Sequence, residues 1–214
     1  MNHQRESRDR SVQEGVEEIV RSGIAISDRV AGLVSRAAVK AQDAGKDLVG
    51  VAQEAVTGAL DAVEERDGSS RSDQFEEVIQ GLAHGFSNAA LTARLAIEEA
   101  TSKGRAFAET DLQKMRSDLE TLSSLYAETI SQGIHKLGDV SSTEFSRLSE
   151  HAQAAAERLK PALAATVDAV REHPLESAQD AAQASGQAVM KTAGSLFSMV
   201  GEFLSGVGER LNRS

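Results

Sequence analysis

Ile19, Val30, Ala41, Ala52 and Val63 stand eleven residues apart, and two more rows keep the same interval. One is Val12, Gly23, Val34, Gly45 and Val56; the other is Gly15, Ile26, Ala37, Leu48 and Ala59. Eleven residues in three turns is about 3.67 per turn, so an apolar stripe with this interval stays nearly straight along a helix. "SVQE" at residues 11–14 has the form of a capping box, with Ser11 and Glu14 placed to satisfy each other's free amides. The spacing therefore predicts a long N-terminal helix in residues 11–67. Its interior glycines, Gly15, Gly23, Gly32, Gly45, Gly50 and Gly58, each cost up to about 1 kcal/mol relative to Ala. Such a helix needs its stripe covered.

"DGSSRSD" at residues 67–73 reads as a turn, with Gly68 suited to a left-handed helix end and Asp73 with Glu76 suited to capping the next helix. Phe75, Ile79, Leu82, Phe86, Ala89, Ala93, Ile97 and Ala100 then recur at spacings of three and four, a bundle or coiled-coil seam. Beyond Gly104 and the capping signal "TDLQ", Leu112, Met115, Leu119, Leu122, Tyr126, Ile130 and Leu137 continue it. Residues 73–137 are thus a helical hairpin or one bent helix. Gly138 breaks the run, and Ser141 with Glu144 opens a helix over 141–173 that carries Leu148, Ala152, Ala155, Leu159 and Val167. Pro174 suits the first turn of a last helix, 174–214.

In that last segment the two sides separate most cleanly. At 100° per residue, Leu196, Phe197, Met199, Val200, Phe203, Leu204, Val207 and Leu211 occupy an arc of roughly 160°. Ser195, Ser198, Glu202, Ser205, Glu209 and Asn212 lie opposite. Two destinations are open for the apolar face: neighbouring helices of the same chain, or a surface outside it. Between Leu196 and Asn212 the only basic residue is Arg210, whereas helices drawn to anionic membranes are flanked by Lys and Arg. An external surface recognised by this face is therefore an uncharged one.

Composition narrows the class. Aromatic residues are 3% of the chain, Trp is absent and Tyr126 is the single tyrosine, so a core made largely of Ala and Val is thin for 214 residues and favours elongation over a globule. With no Cys, disulfides, thiolate metal sites and cysteine nucleophiles are excluded, as suits a reducing cytoplasm. A net charge of −10 with scattered Lys and Arg argues against nucleic acid as a partner. Residues 1–10 read as a disordered polar tail without a signal sequence, and no window is apolar for the length of a bilayer span.

Catalytic and metal-binding patterns are not found. His3, His84, His135, His151 and His173 form no HExxH and stand in no di-iron spacing. The adjacent acids Glu17 and Glu18, Glu64 and Glu65, Glu76 and Glu77, and Glu98 and Glu99 point about 100° apart on a helix and read as solvated faces. No phosphate-binding glycine loop and no nucleophile with a base is evident. The expectation is a non-enzyme with no cofactor and no metal.

The long Ala-rich stripes, the acidic balance and the lack of Cys and Trp resemble the phasins, helical proteins that coat bacterial polyhydroxyalkanoate granules. The eleven-residue rows resemble those of exchangeable apolipoproteins and lipid-droplet coat proteins. "VREHPLESAQDAAQASGQAVMKTAGSLFSMVGEFLSGVGERL" resembles the C-terminal part of a bacterial helical family of unknown function. Its "VREHP" is also similar to a stretch preceding the anchor of ribosome-associated inner-membrane proteins, although Gln179, Asp180, Gln183, Gln187 and Lys191 stand where that anchor is apolar.

Together these readings predict an all-α, elongated antiparallel bundle of four or five long amphipathic helices, coiled-coil-like in part. The resemblance implies a cytoplasmic coat or scaffold protein, peripheral on polyester inclusions, lipid or the inner membrane, with Leu196, Phe197, Val200, Phe203, Leu204 and Val207 as its adsorbing face. The alternative is a structural protein in which the same helix closes a homo-oligomeric bundle or a protein–protein contact.

Overall fold

The computed structural model describes residues 11–43, 48–64, 68–102, 109–138 and 140–172. Ser11 Oγ accepts from the Glu14 amide at 3.2 Å and the Glu14 carboxylate accepts from the Ser11 amide at 3.3 Å, which starts α1, Val12–Ser22. Gly23 ends it in the left-handed conformation, φ 65°, where a side chain would be strained. Ala25 follows at φ 47° and the chain reverses into α2, Ile26–Asp43. Then come α3, Leu48–Val63, α4, Gly68–Ser102, α5, Glu109–Lys136, and α6, Ser142–Glu172. The described residues are all-α, in six helices and without a strand.

The single helix expected over 11–67 is therefore replaced by α1, α2 and α3. An eleven-residue interval reports which side of each turn faces inward, and it is blind to where the chain doubles back. Ile19, Val30, Ala41, Ala52 and Val63 are indeed all buried, each on a stripe turned toward the same interior. Gly68 also departs from expectation: it is the first residue of α4, the helix starts inside "DGSSRSD", and Asp73 pairs with α6 instead of capping. The C-terminal helix assigned to 174–214 lies outside the described residues, as does the tail 1–10.

Contacts fix the directions of the helices. A Cβ on Gly15 would meet Leu33 of α2 at 2.8 Å, so α1 and α2 form a hairpin about Gly23–Ala25. Gly81 faces Ser27 and Val30, while Gly85 faces Ala31 and Val34; both numbers rise together, so α2 and α4 run parallel. The same holds for α4 and α6, where Asp73 meets Arg147 and, further down, Ala90 meets Thr166. Consecutive helices thus alternate in direction, with α4 between α2 and α6, α5 against α6 and α3, and α1 against α3. Spanning 35 residues, α4 is roughly 52 Å long.

The interior is filled by the predicted seams. Phe75, Ile79, Leu82 and Phe86 of α4, Met115, Leu122, Tyr126 and Ile130 of α5, and Leu148 and Leu159 of α6 are all buried. Phe86 and Tyr126 meet edge to face, with centroids 6.5 Å apart, a favoured aromatic geometry. The Tyr126 hydroxyl donates to the Ile79 carbonyl at 3.0 Å, tying α5 to α4 across the core. Large side chains at the centre and glycines or alanines at the helix contacts explain how an aromatic-poor chain closes a packed interior.

Candidate functional site

The residues that the sequence marks as an adsorbing face, Leu196, Phe197, Val200, Phe203, Leu204 and Val207, lie outside the described residues. Among the described residues stand a polar pole, a groove and a few exposed apolar side chains.

The pole collects three turns: Gly23–Ala25, the end of α3 with the start of α4, and Leu137–Ser141. Arg71, in the first turn of α4, donates to the carbonyls of Val63 at 3.2 Å, Glu64 at 3.0 Å and Leu137 at 2.9 Å. Those carbonyls have no acceptor role inside their own helix ends, and a cation is favoured there by the helix dipole. Beside them, Arg147 of α6 donates to Asp73 at 2.7 Å and approaches Glu76 at 3.8 Å, while His151 Nδ1 lies 3.2 Å from Glu76. The hydrogen bond to Asp73 pushes the Arg147 guanidinium pKa up. Hydrogen bonds from Ser141 hold the Glu144 carboxyl below its ordinary range, because the Ser141 amide and hydroxyl both donate to it at 3.1 and 2.7 Å. The Arg147 and His151 contacts to Asp73 and Glu76 bridge α6 and α4 at the surface, where such pairs are weakly stabilising.

The groove runs between α3 and α5, about 240 Å³ in volume, over Val56, Leu60 and Gly133, with Gln53, Thr57, Thr129, Gln132 and Lys136 around it. Lys136 is the one ionisable lining residue, so the groove presents no acid for a general acid–base pair. Tyr126, buried in the core, has its phenol pKa pushed up by desolvation and stays protonated on Ile79. Among the described residues no three His, Asp or Glu side chains are placed to hold a metal ion, and no helix is long and apolar enough to cross a membrane.

Four large apolar side chains are exposed among the described residues: Ile24, Leu91, Leu95 and Leu125. Leu91 and Leu95 stand four apart on α4, 50% and 43% exposed, while Ala90, Ala93 and Ile97 on the inner side are buried. The sequence reading followed the seam from Phe75 to Ala100 and passed over this pair. Its signal was there to be read: two leucines in phase with each other and out of phase with the seam.

Compared with known families, the chain is matched over residues 2–213 by the model of a family of unknown function, DUF6781. It belongs to that family. No curated protein and no solved structure matches it.

Proposed function

We propose that the protein acts by binding, not by catalysis, as a phasin-like coat or scaffold on an uncharged hydrophobic surface such as a polyester inclusion or neutral lipid. The observation that carries this reading is the segregation of residues 195–211, whose apolar arc faces a side made of Ser, Gly and Glu. The packing of the stripes on α1 to α6 against one another supports a reading in which Leu196, Phe197, Val200, Phe203, Leu204 and Val207, rather than the long helices, form the adsorbing face. At about 25 cal/mol per Å² of apolar area, that face supplies several kcal/mol when half immersed, without needing Lys or Arg.

Co-sedimentation of the purified full chain with polyhydroxyalkanoate particles, neutral vesicles and anionic vesicles tests the reading. Particles and neutral vesicles are expected to carry the protein down, and Phe203→Asp to release it. No sedimentation, or binding to anionic vesicles alone, overturns it.

A further inference from the structure

Leu91 and Leu95 lie on the outward side of α4, opposite Ala93 and Ile97 and between the flanking helices α2 and α6. This is the level at which the described chain ends. Thr166 of α6 donates to the Ala90 carbonyl at 2.9 Å, α6 runs parallel to α4, and its last described residue, Glu172, comes roughly 9 Å further along the axis. Glu172 therefore lies at about the level of Leu95.

We propose that the apolar face of residues 195–211 docks on the Leu91–Leu95 ridge of the same molecule when no hydrophobic surface is present. Three physical points select this occupant. Residues 173–194, which join the two, reach up to roughly 75 Å when extended, so the tether permits the return. An i,i+4 pair forms a short ridge that fits the groove between residues of a second helix, and Leu196, Val200 and Phe203 repeat at matching intervals of four and three. Because the segment and the ridge belong to one chain, their encounter is intramolecular, which favours the chain's own segment over a second copy at ordinary protein concentrations. Docking covers two half-exposed leucines and the apolar arc together. It also sets the adsorbing face in competition with an external surface, and in that respect the inference rests on the proposed function.

The chain has no cysteine, which makes engineered disulfides a clean test in the full-length protein. Under mild oxidation Leu95→Cys with Val200→Cys is expected to give a disulfide within one chain, whereas Leu95→Cys with Ser205→Cys, on the polar side, is not. Leu91→Cys with Val200→Cys serves as a second pair should the first disturb the fold. Absence of any disulfide from both Val200 pairs, equal yields with Val200 and Ser205, or linkage only between chains overturns the docking. Neutral phosphatidylcholine vesicles added before oxidation are expected to lower the yield several-fold, and an unchanged yield while the protein is bound to them overturns the competition. A protein that forms the disulfide yet binds no vesicle or particle overturns the coat reading and leaves the docking intact.

Discussion

Arg71 Nη1 donates to the carbonyl of Leu137 at 2.9 Å across 66 positions of sequence, so the first turn of α4 closes the end of α5. The same guanidinium also closes the end of α3. Hydrogen bonds to a charged group contribute about 1.5–3 kcal/mol each, and these share one cation. Arg71→Ala is expected to lower the unfolding free energy by about 2–3 kcal/mol, read by urea denaturation. Arg71→Lys recovers only part of this, because an ammonium cannot fork to three carbonyls.

Glycines at helix crossings and glycines on open faces should respond with opposite signs. A Cβ on Gly58 would overlap the backbone carbonyl of Gln13, and one on Gly81 would lie 2.6 Å from the Ser27 carbonyl oxygen. Backbone cannot step aside as a side-chain tip can, so Gly58→Ala and Gly81→Ala are expected to cost about 1–3 kcal/mol despite the better helix propensity. On Gly32 the nearest atom is the Arg36 guanidinium at 3.4 Å. Gly32→Ala should stabilise by up to about 1 kcal/mol, seen as a higher Tm.

Burial raises the Tyr126 pKa above its ordinary 10.0, with a definite consequence for alkaline stability. The folded state favours the neutral phenol, so this contribution is complete below pH 10 and is lost as the pH rises toward the higher folded value. Because Tyr126 is the only tyrosine and Trp is absent, ultraviolet titration reads this one group. Tyrosinate absorbance is expected to appear only together with unfolding, and Tyr126→Phe to flatten the alkaline fall in stability. It should also cost about 0.5–1.5 kcal/mol at neutral pH for the lost bond to Ile79.

The opposite sign applies to Glu144. Its pKa is lowered in the fold by Ser141, so its contribution is present above the unfolded carboxylate value and is lost as the pH falls through the folded one. Glu144→Gln is expected to remove that acid-side slope while leaving helix content unchanged, which circular dichroism against pH would show.

Local signals carried far in this sequence, and connections did not. The capping boxes at Ser11 and Ser141 form as their spacing requires, since they involve atoms three residues apart. Burial of Phe75, Ile79, Leu82 and Phe86 likewise follows from helical period alone. The reversal at Gly23 was hidden because glycine is also the residue that permits close helix packing, and the eleven-residue row passes through it without a break. Asp73 looked like a cap until Arg147, far along the chain, claimed it. Leu91 and Leu95 were legible only as an anomaly of phase, and their meaning depends on where α6 ends. The face from Leu196 to Val207 lies outside the described residues.

Fastening the ends of α3 and α5 on Arg71 gives the molecule a tied pole and, at the far side, a pole where α2, α4 and α6 all terminate. Loosening of the bundle is therefore directional, beginning far from the guanidinium. Force applied beyond Glu172 acts on that second pole, so the helices part there first while the ties at Arg71 hold register.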